Sequence, residues 1–162
     1  MRVRHYKKKI IGISEIENTG LDIRRNHLTI VTTNGCFDIL HSGHIEYLQC
    51  ASNYGDILIV GINCDNSVRR LKGEGRPVNN EVSRASVIAS LGFVDYCVIF
   101  SEDTPIEFLS RIRSHIHVKG GDYLARDLIE KKAVEENGGI IKILPLIKGF
   151  STSEIIKKVT SL

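Results

Sequence analysis

From Leu28 onward, short runs of β-branched and aliphatic residues alternate with longer stretches in which apolar side chains return every three or four positions. The runs Leu28 to Thr32, Ile57 to Ile62, Tyr96 to Phe100, His115 to Val118 and Ile140 to Leu144 are rich in Ile and Val. Such near-continuous apolar runs suit strands covered on both faces, as in a parallel sheet. Helical periodicity marks Gly43 to Asn53, Asp65 to Leu71, Glu81 to Leu91, Pro105 to Arg113, Ala125 to Asn137 and Ser153 to Val159. Gly55, Gly73, Gly75 and the pair Gly138-Gly139 punctuate the pattern. The alternation predicts an α/β fold: a doubly wound, Rossmann-like parallel sheet of five strands with helices on both faces. In such a sheet, ligands bind beyond the carboxyl ends of the strands.

Residues 1–26 break this rhythm. They are polar and charged, and Ile10, Ile13 and Ile16, spaced by three, predict one face of a short helix packed outside the sheet, with Gly12 as its weak point. The expected organisation is therefore an N-terminal extension over 1–26 packing on a core domain over 27–162.

Composition narrows the class. The chain has 162 residues, 42% of them hydrophobic and 25% charged, enough for one continuous core. The net charge of +3 is modest, and the basic residues are scattered apart from Arg2 to Lys9 and the stretch Arg69, Arg70, Lys72 and Arg76, so no nucleic-acid partner is expected. Cys36, Cys50, Cys64 and Cys97 fall in different elements without a C-x-x-C pair, which reads as reduced thiols in a cytoplasmic protein. No apolar run is long enough for a secretory leader or a membrane span.

Chemistry concentrates in Thr33-Asn34-Gly35-Cys36-Phe37-Asp38-Ile39-Leu40-His41-Ser42-Gly43-His44, which leaves the first strand and opens the first helix. Gly35 allows a ligand close to the backbone, and the helix N-terminus at Gly43 offers N–H groups to phosphate. His41 and His44, three apart, can turn both rings toward one phosphate chain and donate hydrogen bonds as charge builds on a leaving pyrophosphate. Taken singly, each histidine would read as a helix-entry or surface residue; the pair around glycine argues for the site. A zinc reading with Cys36, His41 and His44 lacks a fourth ligand at a convincing spacing.

This segment resembles the H-x-G-H motif of the nucleotidyltransferase superfamily. Together with Val68-Arg69-Arg70-Leu71-Lys72-Gly73, Arg76-Pro77-Val78-Asn79, Val118-Lys119-Gly120-Gly121-Asp122-Tyr123 and Gly149-Phe150-Ser151-Thr152, it is similar to the D-glycero-β-D-manno-heptose 1-phosphate adenylyltransferases, in order and spacing, from about Lys9 to the C-terminus. The resemblance implies transfer of AMP from ATP to a sugar 1-phosphate, yielding ADP-heptose for lipopolysaccharide, and a homo-oligomer. That domain occurs alone or fused to a sugar kinase; the length here leaves a kinase to a separate protein. The rival readings are a cytidylyltransferase acting on an alcohol phosphate such as glycerol 3-phosphate, and a nucleotide-binding regulatory module without catalysis.

The remaining candidates also sit at strand ends. Asn63 is a candidate nucleotide contact, whereas Asp65 reads first as a helix cap. Arg69, Arg70, Lys72 and Arg76 suit an acceptor phosphate or the triphosphate, with a solvated charge run as the alternative. Arg84, on the next helix, reads as a support near the nucleotide or as a surface ion pair. Lys119 supplies a fixed positive charge beside Gly120 and Asp122, and Ser151 and Thr152 either cap the last helix or donate hydroxyls to phosphate. His41, His44 and Lys119 are the expected catalytic residues. Thr33, Asn34, Gly35, Cys36, Phe37, Asp38, Gly43, Asn63, Gly120, Asp122, Ser151 and Thr152 are expected to hold the nucleotide, with Mg²⁺ accompanying ATP and no metal held by the protein itself.

Overall fold

The computed structural model describes residues 5–121, 124, 127–145 and 149–162. Its strands are β1 (Ile10–Ile11), β2 (Ile30–Gly35), β3 (Ile57–Asn63), β4 (Tyr96–Phe100), β5 (Ile116–Gly120) and β6 (Ile140–Leu144). The helices are α1 (Ile16–Arg25), α2 (Ser42–Ser52), α3 (Asp65–Lys72), α4 (Glu81–Ala89), α5 (Ile106–Ile112), α6 (Lys131–Glu135) and α7 (Thr152–Thr160). All strand pairs are parallel, in the order β1-β4-β3-β2-β5-β6. The sheet thus has six strands rather than the five the sequence pattern predicts. The extra one is Ile10–Ile11, which pairs with Cys97 and Val98. Two residues are too few to show a periodicity, and the isoleucine spacing that suggested a helix there is split: of Ile10, Ile13 and Ile16, only Ile16 lies in α1.

Successive residues of a strand face opposite sides of the sheet, and the strands divide their side chains accordingly. Val31, Leu58, Val60, Ile62 and Cys97 pack on one face with Leu48 and Ala51 of α2 and Ala85, Ile88 and Ala89 of α4. Ile30, Ile59 and Val98 pack on the other with Ile16 and Ile23 of α1, Phe108, Leu109 and Ile112 of α5, and Val134 of α6. Each fully buried aliphatic side chain contributes about 1.5–3 kcal/mol, so this double core fixes the strand ends against one another. No helix among the described residues is long and apolar enough to cross a membrane.

Candidate active site

The chain runs from β2 outward to β3 and β4, then returns to place β5 on the opposite side of β2. That reversal opens a crevice at the carboxyl ends of β2 and β5, and a cavity of about 760 Å³ lies there. Asn34 and Lys119 face each other across the crevice, with the Lys119 ammonium donating to Asn34 Oδ1 at 3.3 Å. Below them Tyr47 of α2 braces both strands. Its hydroxyl donates to the Val118 carbonyl at 3.0 Å and lies 2.6 Å from Thr33 Oγ1. The Thr33 hydroxyl is therefore spent inside the core, and Thr33 itself is fully buried. Gly120 lets this brace sit close, since a Cβ there would stand 3.1 Å from the Tyr47 ring.

The β2 strand extends through Gly35, three residues beyond the apolar run, and the chain then turns sharply into α2. Phe37 takes a left-handed conformation with φ of 44°, which costs a non-glycine residue on the order of 1–3 kcal/mol and is held by burial of the ring. His41 occupies the N-cap position of α2 in extended conformation, and its carbonyl accepts the His44 N–H at 2.9 Å. One helical turn brings the two imidazoles into a stack, centroids 3.8 Å apart and planes 20° from parallel. Phe150 lies nearly parallel to His41 at 6.1 Å, and Phe37 meets His44 edge-on at 5.5 Å. Both Nδ1 atoms are buried without a hydrogen-bond partner. Burial, and then the neighbouring His41, depresses His44 to about 4, while burial also lowers His41. Both rings are neutral at pH 7. Gly43 keeps the stack accessible to the loop before α7: a Cβ would meet Phe150 Cβ at 3.0 Å and His41 Nδ1 at 3.1 Å.

The opposite wall is built from internally satisfied charges. Asp38, whose side chain is 1% exposed, accepts hydrogen bonds from Arg76 Nε at 2.6 Å and from the backbone N–H groups of Val78 and Asn79 at 2.9 Å. Burial alone would raise its carboxyl, but the bonds from Asn79, Val78 and Arg76 together bring it below the ordinary carboxylate value. Arg84 is wholly buried rather than a surface ion pair. It donates to the carbonyls of Asn79, Cys36 and Asn63 and pairs with Asp65 at 2.8 Å, tying the ends of β2 and β3 to the loop before α4. Asp65 is not the α3 cap; Cys64 holds that position, and its sulfur accepts from Ser67 N. Asn63 is buried, its amide donating to Ser67 Oγ at 3.0 Å.

The α7 N-terminus closes the cavity. Ser151 stands at the N-cap position without a side-chain capping bond, and Thr152 Oγ1 donates to the Ile39 carbonyl at 3.2 Å. The first N–H groups of α2 and α7 lack intrahelical partners, and both helices start at the cavity wall. Of the four basic candidates in the α3 region, Lys72 and Arg76 line the cavity. Arg69 and Arg70 do not: Arg69 bonds Asn66 within its own helix, and Arg70 grips Asp103 at 2.6 Å. Asp122 lies outside the described residues. Among those described, no group of three or more His, Cys, Asp or Glu side chains is disposed to hold a metal ion.

Three residues of the site were not singled out in the sequence. Tyr47 falls three positions after His44, so helical spacing could have revealed it. Phe150 lies inside a quoted motif, and its stacking role needs the meeting of α2 and α7. Glu130, 2.6 Å from the Lys119 ammonium, has no local signal at all.

The chain is 49% identical over 136 residues to the bifunctional protein HldE of Campylobacter curvus, covering 84% of this chain and 28% of the relative. It is 47% identical over 145 residues to HldE of Aliarcobacter butzleri, covering 90% and 30% respectively. The chain thus spans under a third of the length of these relatives. A lipopolysaccharide core biosynthesis protein from Thermoplasma volcanium GSS1 superposes with a TM-score of 0.61 at 28% identity, covering 76% of this chain and 99% of that one. Residues 32–158, which include every wall of the cavity just described, match the cytidylyltransferase-like family, and the chain belongs to it.

Proposed function

We propose that this chain is a nucleotidyltransferase that transfers AMP from ATP to a sugar 1-phosphate, giving an ADP-sugar and pyrophosphate, and that the sugar is D-glycero-β-D-manno-heptose, in synthesis of a lipopolysaccharide core precursor. The observation that carries the reading is the stacked, neutral His41–His44 pair at the start of α2, which lines a crevice large enough for a nucleotide. The heptose assignment is supported by the motif resemblance and by the similarity to HldE and to the lipopolysaccharide core biosynthesis protein.

The reaction is a direct displacement. An oxygen of the sugar phosphate, already ionised at neutral pH, bonds to the α-phosphorus of ATP while the bond to pyrophosphate breaks. No general base is needed, and the protein contributes positioning and charge stabilisation. Magnesium would enter as part of the nucleotide substrate and would offset negative charge on its phosphates. His41 and His44 give N–H donors to the phosphate chain, and negative charge arriving beside them favours their protonated form as charge grows on the leaving group. Lys119 supplies a positive charge at the switch point, Lys72 faces the acceptor phosphate, and Asn34, Gly35 and the α7 N-terminus hold the nucleotide. Cys36, the thiol at the cavity, is pushed up by burial and is not a nucleophile for this step. The unpaired thiols and ATP-dependent chemistry fit a cytoplasmic setting.

Pyrophosphate release by purified protein, with ATP, CTP, GTP and UTP each tested against heptose 1-phosphate and glycerol 3-phosphate, tests the proposal. Release with ATP and heptose 1-phosphate is the expected result. Release with CTP and glycerol 3-phosphate would overturn the substrates and keep the mechanism, and nucleotide binding without any release would overturn catalysis.

A further inference from the structure

Lys119 is the cation at the switch point, yet its ammonium is not free. It lies 2.6 Å from Glu130 Oε1, a carboxylate 2% exposed that lines the cavity. Behind Glu130 stands His117, fully buried, with Nε2 3.9 Å from the same oxygen and no hydrogen-bond partner. His117 Nδ1 lies 3.0 Å from Thr32 Oγ1, which in turn lies 2.9 Å from Ser114 Oγ. Burial first, and then the Lys119 charge, depress His117 to about 3, so the ring is neutral and carries one proton. The Thr32 hydroxyl donates to Ser114 Oγ, so its oxygen is left to accept from His117 Nδ1. Glu130 presents its charge directly to Lys119.

We propose that Glu130 is the positioning residue of Lys119: the buried carboxylate and Asn34 together hold the ammonium at the switch point. Without Glu130 the four-carbon stem is free to swing, since the Lys119 side chain is 22% exposed and its charge can reach water. A long flexible cation gains precision only from what restrains it, and misplacing a catalytic group by about 1 Å costs on the order of a hundredfold in rate. The ammonium is drawn toward the triphosphate when ATP binds, so the ion pair sets where the charge starts rather than whether ATP is bound.

This inference rests on the reading of Lys119 as a contact to the reacting phosphates, and a double-mutant cycle separates the two. Turnover and KM for ATP are measured by pyrophosphate release in the parent, Glu130→Gln, Lys119→Ala and the double variant, with folding followed by thermal melting. The expected result is a fall of at least tenfold in kcat for Glu130→Gln, with KM for ATP within threefold. In the Lys119→Ala background the same change should have no further effect, because Glu130 acts through Lys119. Additive losses, or a Glu130→Gln variant with parental kcat, would overturn the role of Glu130 and leave Lys119 in place. Parental turnover in Lys119→Ala would overturn both. Should Glu130→Gln fail to fold, Glu130→Asp keeps the charge but withdraws it by one methylene, and the same cycle applies with a smaller loss of kcat.

Discussion

The two walls of the cavity use polar groups in opposite ways. On and behind the Asp38 wall the charges are answered from within the chain: Asp38 by Arg76 and two backbone N–H groups, and Arg84, buried behind it, by three carbonyls and Asp65. On the α2 wall, His41 and His44 keep buried nitrogen atoms without partners, and the α2 and α7 N-termini keep their first N–H groups. An unpartnered buried polar atom costs free energy, so the His41–His44 stack carries a cost that the Asp38 wall does not. The contrast sorts the two sets by what already satisfies them, although Asp38, His41 and His44 line the same cavity and stand in one sequence motif.

Breaking the satisfied wall should be felt in folding. Arg84→Leu leaves three carbonyls and Asp65 without their donor, and a loss of about 3–5 kcal/mol is expected by urea denaturation. A loss under about 1 kcal/mol would mean that the strut is dispensable. Breaking the unsatisfied wall should be felt in turnover. His44→Ala is expected to lower kcat by about a hundred- to a thousandfold, with a melting temperature close to that of the parent protein; a folded variant with unchanged kcat would remove the pair from the mechanism.

The pH dependence sharpens the same contrast with a smaller effect. His44 and His117 are depressed to about 4 and about 3, against an ordinary value of 6.5. Between those limits the unfolded chain binds more protons than the folded one, so stability rises with pH there. Their contribution is complete above about 6.5 and is lost as pH falls through the folded values. Asp38, held low by its donors, adds a loss of the same sign at the acid end. The melting temperature should therefore fall between pH 7 and pH 4, and a flat profile would contradict neutral buried imidazoles. The smallest effect is expected outside both walls. Arg69→Ala should leave kcat and KM within about twofold, as for an exposed surface charge, whereas Lys72→Ala, at the cavity, should raise KM for the sugar phosphate; equal effects of the two would mean that α3 moves over the site when substrate binds.

Much of this was legible in the residues. The Ile- and Val-rich runs placed β3 and β4 closely, because a strand buried on both faces must be apolar throughout, and the run Ile140 to Leu144 placed the edge strand β6. Helical spacing brought His41 and His44 to one turn of α2, since that geometry depends on local backbone alone. The two-residue β1 escaped detection because it exists only by pairing with β4. Motif residues could not be sorted by task either: Thr33, Asp38 and Arg76 carry the same marks in the sequence as Asn34 and His44, yet they spend their polar groups on Tyr47, on one another and on the backbone of Val78 and Asn79. Whether a polar group serves a ligand or the fold depends on what stands within about 3 Å of it. Local order along the chain sets strand, helix and turn; that neighbourhood is set when segments 40 residues apart, such as Asp38 with Val78, are packed together.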